Sequence, residues 1–409
     1  MKRKTVGLAS LALFMSIVSA CGSSGGGTTA SGTQTGTTGN AEGSASGTVI
    51  KIATQSPLSG SSSIQGEAIR LGAQLALEDR AQEFKDLGFT LELAPFDDQG
   101  DAKKGVANAE MIGADQAVLG VIGHLNSGVS IPSSVVYEKY NIPMISPAST
   151  ATEFTDRGLK VANRVVARDD FQGPAAAQYA VNELGAKNIF VVQDKTAYGQ
   201  GLAEAFRDEA EKLGATIAGY EAITVGEKDF NGVLNIALSK KPDFIFFGGL
   251  YAEGGLLVKQ AREKGISAPF MGGDALDSSG MVEIAGDNVK DSLYSSVATD
   301  IAKAEGGKEW ADKYKAKFNK NAEGYSVYSY DSMTIMLDAI KKSIESSDGK
   351  IPSRETVRDA VRATKDFKGI ATEVSFDDIG DNIYAKVFIY KFEEATYPGT
   401  MVSEVSKQQ

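Results

Sequence analysis

The sequence of 409 residues contains one cysteine, one histidine and one tryptophan. A single cysteine excludes any disulfide within the chain, and together with a single histidine it excludes every zinc site built from several Cys and His ligands. Basic residues are also scarce, because 42 lysines and arginines face 53 aspartates and glutamates, for a formal net charge of −11. This balance argues against a nucleic-acid-binding protein, since affinity for phosphates needs a basic face.

Long hydrophobic runs are missing as well. The clearest apolar stretch, Val6–Val18, is too short and too polar at its flanks for a stable membrane-spanning helix. Three basic residues, 2–4, precede it, and small residues ending at Ala20 follow it, directly before Cys21. This order predicts a secretory signal peptide over residues 1–20.

The composition changes sharply after the predicted signal peptide. Between residues 22 and 48, 24 of 27 residues are Gly, Ser, Thr or Ala. Such a segment has too little apolar surface to offset the entropy lost on ordering. We therefore expect residues 21–48 to be a flexible tether.

From residue 49 onward, short apolar runs alternate with amphipathic stretches. Two series of predicted strands, each joined by helical patterns, fall within 49–165 and 188–272, and strands that start roughly every 26–28 residues are typical of βαβ units in a parallel sheet. The pattern predicts an α/β fold with two doubly wound, Rossmann-like lobes. The predicted strands are Val49–Ala53, Thr90–Phe96, Ala117–Gly123, Ile142–Ile145, Asn188–Gln193, Thr216–Ile223, Asp243–Gly248 and Pro269–Gly272.

The segments after these strands indicate where a ligand would bind, because open parallel sheets bind ligands beyond the carboxyl ends of their strands. Hydroxyls and loop amides dominate after the strands of the first series, as in Ser127 and 146–150. Aromatics and one carboxylate dominate in the second series, as in Tyr198 and Asp274. Hydroxyls and N–H groups at a helix start hold a carboxylate, and an acid holds an ammonium. The residue types that follow the predicted strands therefore suit a small zwitterion as ligand.

Several short motifs occur in an order and spacing that resemble one known family. Taken together, they resemble the substrate-binding proteins of branched-chain amino acid ABC transporters, which have the type I periplasmic binding protein fold, over nearly all of 49–409. The motifs are Ser59-Gly60, Phe96-Asp97-Asp98, Ile122-Gly123-His124-Leu125, Ile145-Ser146-Pro147-Ala148, Tyr198-Gly199-Gln200-Gly201, Gly226–Phe230 and Phe270-Met271-Gly272.

The resemblance implies two lobes joined by three crossovers, near residues 168, 298 and 373, that close on a ligand. Lobe 1 would comprise 49–167 and 298–372, and lobe 2 would comprise 168–297 and 373–409. The partners it implies are an amino acid and a transporter permease. No cofactor and no nucleic acid are implied, and a monomer is expected.

By position in these motifs, the resemblance also implies individual ligand contacts. Ser127 and Thr150 match hydroxyls that bind the ligand carboxylate, while Ala148 matches a backbone carbonyl that accepts from the ammonium, with Ser149 in the same loop. Asp274 matches the acid that pairs with the ammonium, and Tyr198 and Tyr325 match pocket aromatics. Leu250 and Tyr251 complete the candidate ligand-binding residues.

The sequence departs from the family pattern at side-chain positions of the pocket. Gln65 and Leu250 stand where tyrosines are common, and Asp274 is one methylene shorter than the usual glutamate. These departures favour amino-acid binding over leucine specificity in particular. An aliphatic or branched-chain amino acid is the expected ligand, and an amide or urea is the alternative.

The placement of Cys21 resembles the lipobox of bacterial lipoproteins. That resemblance implies cleavage before Cys21, lipidation of this residue, and attachment of the exported protein to a membrane, at the cell surface or in the periplasm; several acyl chains are needed for firm anchoring. The alternative is an ordinary secreted protein with an unmodified thiol.

The sequence gives less support to other functions than to a solute receptor. An enzyme is disfavoured because no phosphate-binding loop, dinucleotide glycine pattern in context or metal motif is present. A ligand sensor with the same fold is an alternative that this sequence does not separate from an importer receptor. For single residues the alternatives are structural: helix caps for Ser127 and Thr150, a solvated loop acid for Asp274, and core packing for Tyr198. His124 and Trp310 are both expected in structural roles.

Overall fold

The structure is a computed structural model and describes residues 48–406. The predicted signal peptide, Cys21 and the tether up to residue 47 lie outside the described residues. No helix among residues 48–406 is both long and apolar enough to cross a membrane.

The described residues alternate between strands and helices over most of their length. The strands are β1 Thr48–Ser56, β2 Phe89–Asp97, β3 Val118–Gly123, β4 Met144–Ser146, β5 Ala162–Arg164, β6 Asn188–Gln193, β7 Thr216–Ala222, β8 Phe244–Gly248, β9 Phe270–Gly272, β10 Leu293–Ser296, β11 Phe367–Lys368, β12 Glu373–Val374, β13 Lys386–Lys391 and β14 Thr400–Ser406. The α-helices are α1 Ser63–Asp86, α2 Ala102–Ala114, α3 Ser127–Lys139, α4 Glu153–Asp156, α5 Asp169–Gln178, α6 Ala197–Lys212, α7 Asn231–Lys240, α8 Tyr251–Glu263, α9 Ser279–Ala285, α10 Gly307–Phe318, α11 Gly324–Ser346 and α12 Arg354–Arg362.

The first sheet contains β1 to β5 in the order β2-β1-β3-β4-β5. All four pairings are parallel, as the βαβ pattern of the sequence predicts. Four of its strands are predicted from sequence, whereas β5, with the sequence Ala-Asn-Arg, is not, because it has no apolar run.

The second sheet repeats this arrangement and extends it. Its strands β7-β6-β8-β9-β10 follow the same order as the first sheet, and β13 and β14 are added beyond β10. The pairings from β6 to β10 are parallel, whereas β13 and β14 run antiparallel. The prediction of two doubly wound α/β lobes is confirmed.

The last helices return to the first sheet. Helix α11 packs along α1 and contacts β3 and β4, and α12 packs against α11 and β3. We call β1–β5 with α1–α4 and α10–α12 the first lobe, and β6–β10, β13 and β14 with α5–α9 the second lobe. The chain therefore passes between the lobes more than once, and each lobe is assembled from distant parts of the sequence.

Buried aromatic residues show that the sheets are covered on both faces. The run 244–247 in β8 is fully buried; the Phe246 ring stacks on Phe206 of α6 with 3.8 Å between centroids, and Phe247 contacts Phe270. A strand buried on both faces is typically a continuous apolar run, and residues 244–247 form such a run. Trp310 is also buried and packs against Tyr314, so its predicted place in the core is confirmed.

Candidate functional site

The strand order places the candidate site beyond the carboxyl ends of two neighbouring inner strands in each sheet. In sheets ordered 2-1-3-4-5, the connections leave in opposite directions after the first and third strands, and a crevice forms beyond their carboxyl ends. In the first lobe these ends are those of β1 and β3, and in the second lobe those of β6 and β8. Each lobe therefore has one such crevice.

One cavity of about 280 Å³ is lined by residues from both crevices. It is lined by segments that follow β1, β2, β3 and β4 in the first lobe and β6, β7, β8 and β9 in the second, together with one residue of α11. Its lining comprises Ser61, Ser62, Gln65, Gln99, Gly100, Ala102, Leu125, Asn126, Ser127, Gly128, Val129, Ala148, Thr196, Ala197, Tyr198, Val225, Leu250, Asp274, Ala275 and Tyr325. Asp274 is the one charged residue in this lining.

Asp274 is fixed by three neutral donors. The Tyr198 hydroxyl and the Gln172 amide donate to its Oδ1 atom at 2.7 and 3.0 Å, and the Tyr325 hydroxyl donates to its Oδ2 atom at 2.6 Å. A carboxylate offers about four acceptor positions, so one remains for a further donor. The preceding residue, Gly273, allows this close approach, because a Cβ there would lie 2.3 Å from the Tyr198 hydroxyl oxygen.

A second buried carboxylate, Asp169, lies near Asp274 at the start of α5. Burial raises the pKa of Asp274, and burial followed by repulsion from Asp274 raises the pKa of Asp169 well above its usual range. Neither residue forms a salt bridge with a described residue, and neither oxygen of Asp169 has a hydrogen-bond donor among them. A cation placed beside this buried pair would favour the ionised form of its carboxyl groups.

The first lobe presents the opposite polarity at Ser127, the first residue of α3. The Ser127 hydroxyl accepts from the amide of Ala151 at 3.2 Å, which leaves its own proton available for an acceptor in the cavity. No side chain within the part of the chain that the structure describes caps this helix start. Because the first N–H groups of a helix lack internal partners and lie at the positive end of its dipole, this end of α3 suits an anion.

The loop after β4 contributes less than expected to the cavity surface. Ala148 lines the cavity, but Ser149 and Thr150 are absent from its lining. The Ser149 hydroxyl bonds to the Ser130 hydroxyl at 2.6 Å, which ties it to α3. The Thr150 hydroxyl is buried and has no partner among the described residues, while its carbonyl accepts from the amide of Asp169 at 2.9 Å.

The remaining predicted residues divide between the cavity and the core. Tyr198, Leu250 and Tyr325 line the cavity with Ser127 and Asp274. Tyr251 does not, because its ring packs in the second-lobe core against Gly280, where a Cβ would come within 2.4 Å of it. The sequence places Leu250 and Tyr251 side by side, and which of two neighbours faces a cavity depends on how the following helix starts.

Sequence analysis misses Gln172 and Asp169. Gln172 bonds to both the backbone and the side chain of Asp274. Its amide oxygen accepts from the Asp274 backbone N–H at 3.0 Å, and its nitrogen donates to the carboxylate. Both residues lie on the first turn of α5, about a hundred residues from Asp274. The two acidic residues that open α5 are the one sequence signal that could have indicated this place.

His124 has the structural role expected from the sequence. It is fully buried, its Nδ1 atom lies 3.0 Å from Asp98 and 3.2 Å from the Gln55 amide, and its Nε2 atom lies 3.2 Å from the Tyr137 hydroxyl. These contacts all lie within the first lobe and support the loop that leads to Ser127. Over residues 48–406 no group of three or more His, Cys, Asp or Glu side chains is arranged to hold a metal ion.

Two doubly wound lobes with a cavity between their switch points, lined by complementary polar groups, define a two-lobed solute receptor. The family comparison agrees, because a family model described as periplasmic binding protein matches residues 49–396. The chain belongs to this periplasmic binding protein family, a family of exported solute-binding receptors and not of enzymes.

Curated relatives match most of the chain. It is 33% identical over 341 residues to "Leu/Ile/Val-binding protein homolog 1" of Brucella abortus (strain 2308), covering 83% of this chain and 89% of that protein. It is 32% identical over 333 residues to the "Leucine-, isoleucine-, valine-, threonine-, and alanine-binding protein" of Pseudomonas aeruginosa, covering 81% and 87%.

Solved structures match over similar lengths. The leucine-binding protein LivK of Thermotoga maritima superposes with a TM-score of 0.79 at 28% identity, covering 87% of this chain and 98% of that one. The branched-chain amino acid transporter substrate-binding protein LivJ of Streptococcus pneumoniae, solved in complex with isoleucine, gives a TM-score of 0.79 at 25% identity, covering 88% and 99%. The resemblance to branched-chain amino acid ABC transporter receptors is therefore confirmed.

Proposed function

We propose that this receptor captures an α-amino acid with an uncharged side chain in the cavity between its lobes. The observation that carries the proposal is the polarity of the cavity. Asp274, a buried carboxylate with no cationic partner among residues 48–406, and the start of α3 at Ser127, which no described side chain caps, line the same space. A zwitterion has an ammonium to pair with Asp274 and a carboxylate to accept hydrogen bonds from the start of α3. Because Asp274 is the one charged lining residue, a charged side chain on the ligand would be buried unpaired, which is costly.

Each end of the ligand has a proposed set of contacts. The Ser127 hydroxyl and the first N–H groups of α3 hold the carboxylate, through charge-assisted hydrogen bonds that gain strength where water is excluded. Asp274 and the carbonyl of Ala148 hold the ammonium, and Asp169 adds electrostatic attraction, with the Thr150 hydroxyl beside it. Tyr198, Tyr325 and Leu250 cover the ligand, while Ser149 supports the loop. Tyr251 supports the cavity wall from the core.

We further propose that the lobes, 49–167 with 298–372 and 168–297 with 373–409, move about the three crossovers. Hydrogen bonds cluster at the crossovers: Arg164 at the end of β5 donates to Asp381 at 2.6 Å across this division, and Asp331 of α11 accepts from backbone amides of 370–372 within the first lobe. Such anchors hold each strand of a hinge while the linkers flex. A ligand drives closure to the extent that it binds the closed form better.

A thermal-shift screen followed by calorimetry tests the ligand class. The panel consists of the twenty amino acids, simple amides and urea, and a ligand present at a hundredfold excess over its Kd is expected to stabilise the fold by about 2.7 kcal/mol. N-acetyl and methyl-ester derivatives of the best amino acid serve as matched controls, because each removes one charge. Stabilisation by an amide or urea beyond that by any amino acid would contradict the proposal, as would unchanged binding of both derivatives.

The relatives' names and the transporter receptors among the solved structures support a role in import. We propose that the receptor is a monomer and that its closed, ligand-bound form delivers the ligand to the permease of an ABC transporter. Reconstituted uptake with that permease tests this role. A sensor role is favoured instead if the closed form binds a signalling receptor and leaves uptake unchanged.

We also propose that Cys21 is lipidated after cleavage of residues 1–20 and anchors the receptor to a membrane. The proposal is supported by the position of the sole cysteine directly after small residues. Replacing Cys21 with Ser is expected to move the protein from the membrane fraction to the soluble fraction of the host cell. If the variant sediments with membranes as the parent does, the anchor proposal fails.

A further inference from the structure

The side chain of Gln65 holds an unusual position in the cavity. It lies on the first turn of α1, just beyond the carboxyl end of β1, and it is fully buried. It also lines the cavity. A buried polar side chain is expected to have hydrogen-bond partners for both its donor and its acceptor groups.

The nitrogen of the Gln65 amide is fully engaged across the lobes. It donates to the backbone carbonyls of Ala275 and Asp277 in the second lobe at 3.3 and 3.2 Å. These two contacts fix which end of the amide points where, because turning the amide over would place its oxygen against two carbonyl oxygens. The oxygen therefore stays an acceptor.

That oxygen, Gln65 Oε1, has no donor among the described residues, although it is buried. A buried acceptor left without a hydrogen bond costs on the order of 1–3 kcal/mol. Asn126 provides a second case in the same cavity, because its Oδ1 atom is also buried without a partner. Both residues line the cavity, so a donor on a ligand bound there is a candidate partner for these two oxygens.

Resting on the proposed amino-acid function, we propose that the preferred ligand has a neutral N–H or O–H donor in its side chain, and that Gln65 accepts this hydrogen bond. A neutral donor satisfies a neutral amide oxygen at no cost in buried charge. A purely aliphatic side chain leaves the same oxygen unpaired. Sites built to hydrogen-bond a ligand group reject the analogue that lacks it far more strongly than apolar pockets reject an added group.

Isosteric ligand pairs test this proposal by calorimetry. L-Threonine and L-valine have nearly the same shape, as do L-asparagine and L-leucine, and within each pair one member has the donor. We expect the parent protein to bind the polar member of at least one pair about tenfold or more tightly, and Q65L to abolish or reverse that preference. Because loss of the bonds to Ala275 and Asp277 affects closure for both members of a pair, their affinity ratio isolates the contact to the ligand.

The control variant is Q82L, which changes an exposed glutamine of the same helix, α1, that does not line the cavity. It is expected to leave the ratio unchanged. The proposal is overturned if the parent prefers the aliphatic member of both pairs, or if Q65L weakens both members equally, since the second result assigns Gln65 to closure or to the common ammonium. Failure of every amino acid to bind would instead overturn the proposed function itself.

Discussion

The two lobes share one strand order but differ in the groups that they bring to the cavity. At the switch point of the first lobe, a helix start and a serine hydroxyl present N–H and O–H donors, centred on Ser127. The second lobe presents an acid, Asp274, surrounded by neutral donors. The same scaffold thus supplies a site for an anion in one lobe and a site for a cation in the other.

The difference shows that backbone topology fixes where a ligand binds, while a few loop residues fix which charge is bound. In both lobes the crevice results from the order 2-1-3-4-5. The polarity depends on the residues just beyond the strand ends: Ser127 opens a helix after β3, whereas Asp274 comes after β9 and meets Gln172 from α5. In the proposed complex the first lobe supplies the donors to the carboxylate and the Ala148 carbonyl to the ammonium, while the second lobe supplies the opposite charge, Asp274.

The largest expected effect comes from removing the second lobe's charge. Asp274→Asn keeps the shape of the side chain but abolishes the ion pair with an ammonium, and we expect amino-acid affinity to fall at least about thirtyfold, because truncating one partner of a buried charge pair costs about 2–5 kcal/mol. Calorimetry with the best ligand of the screen measures this loss. Asp274→Ala is expected to lose binding as well.

The same variant checks the electrostatic account of the second lobe. Since burial raises the pKa of Asp274, the unliganded fold favours its protonated form and loses stability as pH rises through that pKa. Asp274→Asn should therefore melt at the same or a higher temperature than the parent at neutral pH. Retained affinity, or a fold that collapses, would break the assignment of this lobe to the ammonium.

The next effect comes from the first lobe. Ser127→Ala removes the hydroxyl donor but leaves the N–H groups of α3, so we expect affinity to fall about tenfold to a hundredfold, the range for hydrogen bonds to charged groups. Ser130→Ala is the matched control, because Ser130 is a buried serine of the same helix that bonds to Ser149 and does not line the cavity. Equal losses in the two variants would assign the effect to packing in α3.

The smallest expected effects on affinity distinguish a hydrogen bond within the second lobe from a hydrogen bond between the two lobes. Tyr198 donates to Asp274 from the same lobe, whereas Tyr325 donates to it from α11 of the first lobe. We expect Tyr198→Phe and Tyr325→Phe each to weaken binding by about tenfold or less, but only Tyr325→Phe to shift the unliganded protein toward more open forms. Small-angle scattering of the unliganded variants measures that shift. Identical scattering would show that the Tyr325 bond does not hold the lobes together.

The sequence predicts the fold well because buried parallel strands and amphipathic helices leave a strong periodic pattern. Ile69, Ala73 and Ala76, spaced four and three positions apart, are for example all buried in α1. Strand β14 is missed because it is an edge strand whose residues are all at least partly exposed, and edge strands lack the continuous apolar run that indicates a central strand.

The candidate site is predicted less completely, since its residues meet only through tertiary structure. Motif positions lead to Asp274, Tyr198 and Ser127, which do line one cavity. Nothing local marks Gln172 as the partner of Asp274, because glutamine on a first helical turn is common and the two are separated by about a hundred residues. The sequence shows Gln65 as a departure from the family pattern, but its unpaired oxygen is visible only in the folded protein.

The buried position of Asp274 also links amino-acid capture to protons. Its pKa is raised by burial in the unliganded protein, and an ammonium beside it favours the ionised form. Loading the receptor near that pKa should therefore release a proton, so the measured heat of binding should change with the ionisation enthalpy of the buffer. Acidification opposes loading by the same linkage. A receptor exposed to the medium outside the cell would then hold its ligand less tightly as that medium becomes acidic.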